Sequence, residues 1–362
     1  MKRIVTFGEI MGRLAPPGFQ RFRQALPGSL DVTFAGAEAN VAASLATLGA
    51  ATEFVTALPC HDIADACIGA IRNMGVATER IVRGNGRLGL YFLETGANQR
   101  PSRVTYDRSG SSISLTPSSK YNWNETLSGA RWFHTTGITP AISQTAFEST
   151  LDAVRTAKQL GVTVSCDLNF RKKLWQWDAS CQPKELAEKT MREILPSVDV
   201  VIANEEDCHD VLNIEAADFD VESGKLNVSR YPDVARQVAS QFPNLKRVAI
   251  TLRESISASH NNWGGMLYDV ESDEAFFAPV VDGKYHPYEI RNIVDRVGGG
   301  DSFGAGLIFA STTDELSAPE SAIRFAVAAS CLAHSISGDF NYSTRDEVEA
   351  LMKGSTSGRV VR

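Results

Sequence analysis

The chain has 362 residues, of which 43% are hydrophobic and 22% are charged, and its formal net charge is −7. This is an ordinary globular composition with a core large enough to need no disulfide or metal staples, and the acidic balance argues against nucleic acid or an anionic membrane as the main partner. No stretch is long enough to span a membrane and Glu9 ends the N-terminal apolar run too early for a signal peptide, so we expect a cytoplasmic protein.

In chain order, segments of strand character alternate with segments of helical spacing. The predicted strands are 3–10, 53–58, 131–135, 162–168, 198–203 and 247–252, and the predicted helices are 37–49, 62–74, 144–160, 184–195 and 233–241. Strands that alternate with helices favour a mostly parallel sheet that is covered on both faces.

Other stretches interrupt this alternation. Residues 12–34 are rich in proline and have no helical period, whereas 88–93 and 103–107 have the pattern of a β-hairpin. Together these stretches predict a small antiparallel flap outside the main sheet. Residues 266–280 predict a second hairpin, and the polar, acidic residues 213–230 predict a surface insertion.

The most informative segment is 295–306, in which Gly298, Gly299 and Gly300 precede Asp301 and an apolar helical pattern. Glycines let the backbone approach a ligand closely, and the unpaired N–H groups at a helix start favour an anion such as a phosphate. An acid there would repel phosphate, but it has a role if it accepts a proton from a hydroxyl that attacks the phosphate. The segment therefore indicates a kinase that acts on an alcohol. The structural alternative is a loop and an N-cap, since Asp and Ser both cap helices well.

Polar side chains elsewhere are candidate ligand contacts, each with a plainer structural alternative. The small residues before Asn40 would let a polyhydroxy ligand lie against the backbone while the Asn40 amide binds its hydroxyls; the alternative is a packing face. Arg108 is suited to clamp a carboxylate, or it pairs with Asp107. Residues 167–171 and 201–207 end predicted strands, where ligands bind in parallel sheets. The acids of the latter segment suit a magnesium shell or a helix N-terminus.

Several other motifs are excluded. Residues 84–89 match the dinucleotide fingerprint, but they lead into a predicted strand rather than a helix. The sequence contains neither a Walker-type phosphate loop nor a protein-kinase catalytic loop. The six cysteines form no Cys-x-x-Cys pair, and the histidines, including His334, have no ligand spacing and are interpreted as ordinary residues.

The order and context of these segments resemble the PfkB, or ribokinase-like, carbohydrate kinase family over nearly the whole chain. The matching segments are 8–9, 36–40, 91–94, 106–108, 133–137, 167–171, 204–207, 251–253 and 295–301. Within the family the chain is most similar to the branch that phosphorylates 2-keto-3-deoxygluconate. It has Ala35, Arg296 and Asp207 where the family often has Gly, Thr and Glu, respectively, although Arg296 is common in that branch.

The resemblance implies a single α/β domain over 1–362, a ribokinase-like three-layer sandwich with a mostly parallel central sheet and a small β lid built from about 12–35 and 86–109. It implies ATP and Mg²⁺ as cofactors, Asp301 as general base, and Gly298, Gly299 and Gly300 as the anion hole. The positions that match sugar-acid contacts are Gly36, Asn40, Tyr91, Tyr106, Arg108, Arg171 and Asp301. Those that match ATP contacts are Asn169, Arg171, Asn204, Thr251, Arg253, Ser255, Gly298 and Gly300. No residue is assigned to the metal.

The implied function is ATP-dependent phosphorylation of the 6-hydroxyl of 2-keto-3-deoxygluconate or a close sugar acid. A fructokinase or other hexose kinase is the alternative within the family, although a neutral sugar gives no reason to place Arg108 and Arg171 against it. A non-catalytic sugar-binding regulator, or a structural protein, would have no need of Asp301 where phosphate must lie. The exposed edge of a β lid would allow copies of the chain to pair, and no nucleic acid or membrane partner is expected.

Overall fold

The computed structural model describes residues 3–204, 206–214 and 228–354. In the N-terminal part the strands are β1 (Ile4–Phe7), β2 (Met11–Ala15), β3 (Asp31–Ala35), β4 (Thr52–Val55), β5 (Ala57–Leu58), β6 (Val82–Arg83), β7 (Gly89–Glu94), β8 (Arg103–Asp107), β9 (Trp132–Thr136) and β10 (Thr163–Asp167). The helices there are α1 (Phe22–Ala25), α2 (Ala37–Thr47), α3 (Asp62–Asn73), α4 (Ser112–Leu115), α5 (Trp123–Leu127), α6 (Ile138–Ile142) and α7 (Gln144–Gln159).

In the C-terminal part the strands are β11 (Val200–Ala203), β12 (Arg247–Ser257), β13 (His260–Asp269), β14 (Glu274–Ala278), β15 (Val280–Val281), β16 (Lys284–Tyr285) and β17 (Tyr288–Arg291). The helices are α8 (Pro183–Ile194), α9 (Asp207–Leu212), α10 (Tyr231–Gln241), α11 (Gly299–Ser311), α12 (Pro319–Ala333) and α13 (Arg345–Met352). Short 3₁₀ turns occur at Ser118–Lys120, Leu195–Ser197, Val228–Arg230 and Asp314–Leu316.

The central sheet is mostly parallel, as the alternation of elements predicts. Its strand order is β14, β13, β12, β11, β10, β9, β1, β4, and β17 also pairs with β13. The strands from β12 to β4 run parallel, whereas β13 is antiparallel to β12, β14 and β17. The predicted hairpin at 266–280 is confirmed as β13 and β14, with β13 beginning six residues earlier.

Both faces of the central sheet are covered, and β11 shows how the sequence achieves this. Val200 and Ile202 pack in the core beneath α2, α11 and α12, whereas Val201 and Ala203 pack in the core on the side of α7, α8 and α10. Successive strand residues point to opposite faces, so an unbroken apolar run is what a doubly covered strand requires. None of the helices in the described ranges has the length and apolar content needed to cross a membrane.

A second sheet of four strands, here called the small sheet, has the order β3, β2, β7, β8. Its strands come from the two stretches that interrupt the alternation in the sequence. β7 and β8 form the predicted hairpin, but the prediction that the flap is antiparallel throughout is wrong, because β2 and β7 pair in parallel. One face packs around Met11, Ala35 and Tyr91, and β8 is exposed along its whole length.

Three local predictions need correction. The predicted strand 3–10 ends at Phe7, and the chain then crosses to β2 of the small sheet. Residues 12–34 contain one helical turn, α1, which buries no residue and therefore leaves no apolar period in the sequence. The predicted strand 247–252 continues to Ser257 as β12, paired with β13. The sequence did not indicate this extension because the last residues of the strand are largely exposed and form no apolar run. The predicted insertion 213–230 lies mostly in 215–227, outside the described residues.

Candidate active site

A cavity of about 370 Å³ opens where the carboxyl ends of β10, β11 and β12 meet the small sheet and the first turn of α11. The carboxyl edge of a parallel sheet is the usual position for a ligand site. Most of the predicted site residues line this cavity: Gly36, Asn40, Tyr91, Tyr106, Arg108, Asn169, Arg171, Asn204, Thr251, Arg253, Gly298, Gly300 and Asp301. Gly299 and Ser255 were predicted for the site but do not line it.

The glycine-rich segment 297–300, here called the anion loop, leads into α11. Gly298 is the N-cap and has a φ of +84°, and a Cβ at this position would overlap the Asp339 carbonyl, so the position requires glycine. The first intrahelical bond runs from the Ser302 N–H to the Gly298 carbonyl at 2.9 Å. The N–H groups of Gly299, Gly300 and Asp301 precede that bond and are therefore available to an anion.

The three glycines do not face the same way. A Cβ on Gly300 would meet nothing within 4 Å, whereas a Cβ on Gly299 would lie 3.0 Å from Cε1 of His334. A side chain at Gly299 would therefore point into the protein interior and not towards a bound anion. Of these two positions, only Gly300 has open space where a side chain would project.

Asp301 lies in the first turn of α11, and its surroundings shift the pKa of its carboxylate. Burial raises its pKa to about 6, against the lowering effects of a hydrogen bond from Asn40 and of the Arg171 charge, while the charge of Asp339 raises it further. A general base works best when its pKa lies near the operating pH. Asp301 is therefore mostly ionised at neutral pH and still able to hold a proton.

Asn40 connects the two glycine-containing motifs. Its Nδ2 donates to Asp301 at 2.7 Å, and its Oδ1 accepts a hydrogen bond from the Gly36 N–H at 3.2 Å. The chain passes so close to the Glu9 carbonyl at Gly36 that a Cβ there would overlap it. The Asn40 amide, which the sequence predicts as a partner of sugar hydroxyls, thus lines the cavity but is already engaged in orienting Asp301.

The small sheet supplies a cationic group to the cavity. Arg108 is buried, forms an ion pair with Glu9, and lies with its guanidinium carbon 5.6 Å from the centre of the Tyr106 ring. The alternative in which Arg108 pairs with Asp107 is wrong, because Asp107 accepts two hydrogen bonds from Arg87 at 2.6 and 2.8 Å.

Acidic side chains gather at the ends of β10 and β11. Asp167 lines the cavity, and burial together with the charges of Asp207 and Asp301 holds its pKa well above the ordinary range. Asp207 accepts hydrogen bonds from the N–H groups of Phe170 and Asn204 at 3.1 and 3.0 Å, and Asn204 Oδ1 accepts one from the Asp207 N–H at 3.0 Å. The reciprocal bonds identify Asp207 as a residue that shapes the start of α9. Glu205 lies outside the described residues.

A magnesium ion bound with ATP fits this end of the cavity. Burial and the charges of Asp207 and Asp301 disfavour the ionised form of the Asp167 carboxylate, and the Arg171 charge offsets this only in part, so a bound cation would relieve the remaining cost. The described residues contain no group of three or more His, Cys, Asp or Glu that would hold a metal by themselves. This agrees with the usual behaviour of Mg²⁺, which keeps waters and is held by one or two carboxylates and the phosphates of the substrate.

Two arginines mark the end of the cavity beside β12. Arg296 donates to the Ser257 carbonyl and to Asn261 Oδ1, both at 3.0 Å, and burial and the nearby Arg253 charge lower its pKa. Adjacent cations that disfavour each other's charge suit a polyanion such as a triphosphate. Ser255 shares the strand face of Arg253 but lies beyond the edge of the cavity and is exposed.

Sequence reasoning assigned no role to several lining residues, including Glu9, Asn261, Trp263, His334 and Asp339. Glu9 belonged to a matching segment but received no role. His334, interpreted as ordinary, packs its ring 5.0 Å from that of Trp263 and beside Gly299. No local pattern marks the other four positions, because each approaches the cavity from an element distant in sequence from the glycine-rich segment.

Comparisons with known proteins agree with this geometry. Residues 1–251 match the sequence profile described as pfkB family carbohydrate kinase. The chain is 31% identical to 2-dehydro-3-deoxygalactonokinase of Haloferax volcanii, over 98% of both proteins. It is 27% identical to fructokinase-2 of Solanum lycopersicum, over 86% of this chain and 82% of that protein. A crystal structure of 2-dehydro-3-deoxygluconokinase from Thermotoga maritima is 45% identical, with a TM-score of 0.88 over 98% of this chain and 100% of that one.

Proposed function

The chain belongs to the pfkB family of carbohydrate kinases, and on that premise we propose that it transfers a phosphoryl group from ATP to the 6-hydroxyl of 2-keto-3-deoxygluconate. The observation that carries the proposal is the placement of Asp301 in the first turn of α11, at the mouth of the anion loop and in the same cavity as Arg108. The first feature suits phosphoryl transfer to an alcohol, and the second suits an acceptor that carries a carboxylate.

In the proposed reaction Asp301 takes the proton of the 6-hydroxyl as the oxygen attacks the γ-phosphorus. The new O–P bond forms while the bond to the β-phosphate oxygen breaks, and ADP leaves with that electron pair. The N–H groups at the start of α11 donate hydrogen bonds to the transferred group, where charge accumulates. The Asn40 hydrogen bond keeps Asp301 oriented and favours its ionised form.

The nucleotide is proposed to lie between β12 and the anion loop. Arg253 and Arg296 would pair with its phosphates, and Asn169, Asn204 and Thr251 line the same cavity. Asp167 is the carboxylate that would hold Mg²⁺, and the ion would offset the charge of the phosphates. Asp207 would act by shaping the loop, since its oxygens accept backbone hydrogen bonds.

The sugar acid is proposed to lie against the small sheet. Its carboxylate would contact Arg108, with Tyr91, Tyr106 and Arg171 around it. The two relatives named for deoxyketo-sugar acids act on epimers that differ at C4, so the C4 epimer is the nearest competing substrate.

We further propose a cytoplasmic location and pairing of two copies through the exposed strand β8. Sedimentation velocity would test the pairing.

Fructokinase activity is the second candidate, and one observation favours it. The ion pair with Glu9 compensates the Arg108 charge, so a neutral sugar would meet no uncompensated cation at this position. The similarity to fructokinase-2 of Solanum lycopersicum also favours fructokinase activity.

A screen of ATP consumption tests these proposals. The purified protein is assayed with 2-keto-3-deoxygluconate, 2-keto-3-deoxygalactonate, fructose, ribose and adenosine, and the product is located by phosphorus NMR. We expect the two sugar acids to be phosphorylated at C6 with the highest kcat/KM. A preference for fructose would replace the sugar-acid proposal, and turnover of none of them would overturn the proposed function.

A further inference from the structure

We propose that Arg13 is a positioning residue that fixes the anion loop against the small sheet, so that the two substrates face each other at the correct distance. The inference rests on the proposed function only for the identity of those substrates. Arg13 does not line the cavity, and no sequence motif singles it out.

Arg13 lies on β2 and bridges two carboxylates from distant parts of the chain. Its two terminal nitrogens pair separately with Asp295 and Asp339, 282 and 326 residues away, and all three side chains are buried. A planar guanidinium is suited to hold two acceptors in fixed directions. Arg13 thereby joins the small sheet to both segments that pack around the anion loop.

Each of these carboxylates continues into the anion loop. Asp295 accepts hydrogen bonds from the N–H groups of Val297 and Gly338 at 3.1 and 3.3 Å. The backbone carbonyl of Asp339 occupies the space beside Gly298 where a Cβ would project. The position of the loop backbone is therefore set by the two residues that Arg13 holds.

The same contacts reach the sugar end of the cavity. Tyr91 is the register partner of Arg13 on the parallel strand β7, and its hydroxyl lies 2.8 and 2.9 Å from the two carboxylate oxygens of Asp339. The Val297 side chain packs into the apolar core of the small sheet beside Tyr91. Polar and apolar contacts thus connect a sugar-facing residue to the phosphate-facing loop through one network.

Loosening the Arg13 link is expected to lower the rate of turnover rather than the binding of either substrate. If the link loosens, each half-site keeps its own contacts while their mutual position is lost. A misplacement of about 1 Å between reacting groups costs ~10²-fold in rate. The expected signature is a lower kcat with little change in either KM.

Arg13→Lys tests this, because an ammonium group cannot bridge two carboxylates as a guanidinium does. The matched control is Arg247→Lys on β12, where Arg247 bonds Asp269, Ser311 and Ser317 at 3.0–3.3 Å away from the cavity. We expect kcat of Arg13→Lys to fall by about tenfold or more, with both KM values within about threefold of the parent. The control should keep the parent kcat.

Amide hydrogen exchange gives a readout that needs no turnover. In Arg13→Lys the peptides covering 89–94 and 295–300 should exchange faster together, whereas in Arg247→Lys neither should change. If Arg13→Lys unfolds, the pair Arg13→Met with Asp295→Asn is measured instead, with the same expectation, because it removes one charge of each sign from the link and leaves Asp339 in place.

An unchanged kcat, or faster exchange confined to β2, would overturn the positioning role. If the parent protein phosphorylates no sugar in the panel, the proposed function fails, yet the exchange comparison still decides whether Arg13 links the two segments.

Discussion

The Nδ2 group of Asn40 donates a hydrogen bond to Oδ2 of Asp301 at 2.7 Å, across 261 residues of sequence. The bond joins the first turn of α2 to the first turn of α11. The other end of the same amide accepts the Gly36 N–H, so the small-residue motif and the glycine-rich motif are held in one geometry. The group proposed to accept the proton is thereby oriented by a residue of the proposed sugar site.

Replacing Asp301 tests its role as general base. Asp301→Asn keeps the side-chain size and an acceptor for Asn40 but cannot take the proton. The loss of general-base help lowers a rate by ~10²–10⁴-fold, and we expect kcat to fall by that amount. ATP binding, measured by calorimetry, should be largely retained. Near-normal turnover would remove Asp301 from the mechanism.

The pH profile reports on the same carboxylate. Since burial raises the pKa of Asp301 to about 6 and only the ionised form accepts a proton, kcat/KM should decrease as pH falls through about 6. The hydrogen bond from Asn40 lowers this pKa, so Asn40→Ala should move the acid limb to higher pH. An acid limb that stays in place in Asn40→Ala would show that another group controls it.

The sequence predicted α2, α3, α7, α8, α10 and the six parallel strands because their apolar residues recur at helical spacing or form unbroken runs. Helix α2, for example, was predicted over 37–49 and observed over Ala37–Thr47. The sequence did not predict α12, in which the buried residues run without a break from Phe325 to Ser330. It predicted the glycine-rich helix start because residues 298–301 are contiguous in the sequence. It did not predict that β12 continues to Ser257, because exposed strand residues carry no burial signal. Arg13 was missed for another reason, since its partners lie far away in sequence and only the fold brings them together.

The space available to a side chain differs between Gly299 and Gly300, so valine should have different effects at the two positions. Gly300→Val would place its side chain in open space at the mouth of α11, where we propose that the phosphoryl group binds. It should abolish turnover while the melting temperature changes by only a few degrees. Gly299→Val would crowd the His334 ring and should destabilise the fold. Normal turnover in Gly300→Val would favour the capping interpretation of the glycine-rich segment.

Buried Glu38 predicts a pH-dependent stability. Its Oε1 accepts hydrogen bonds from the Thr136 N–H and from the hydroxyls of Thr136 and Thr139 at 2.8–2.9 Å, and burial raises its pKa from 4.5 to about 7. Between these values the folded state holds a proton that the unfolded state releases, so the free energy of unfolding should fall as pH rises from about 4.5 to 7.

Glu38→Gln removes this titration. Relative to the parent, the variant should therefore gain stability between pH 5 and pH 8, by up to about 3 kcal/mol, since one pKa unit corresponds to about 1.4 kcal/mol. Chemical denaturation at four pH values measures the difference, and Glu320→Gln at an exposed position serves as the control. Parallel curves for the parent and Glu38→Gln would contradict the assignment of the titration to Glu38.

Replacing Arg108 tests the proposed substrate class. A charge-assisted hydrogen bond contributes roughly 1.5–3 kcal/mol, and about 1.4 kcal/mol corresponds to a factor of ten. Arg108→Ala should therefore raise KM for 2-keto-3-deoxygluconate by about ten- to a hundredfold. The KM for ATP should barely change, because the nucleotide is proposed to lie at the other end of the cavity, and weak activity on fructose should be little affected.

The ion pair between Glu9 and Arg108 requires one further comparison. Arg108→Ala alone leaves a buried carboxylate facing the substrate carboxylate, and their repulsion would add to the loss. The loss that belongs to Arg108 itself is obtained by comparing Glu9→Gln with the double variant Glu9→Gln and Arg108→Ala. If that comparison still shows a larger loss for the sugar acid than for fructose, the cation recognises the carboxylate. Equal losses for both sugars would mean that Arg108 only supports the small sheet, and fructokinase activity would become the first candidate.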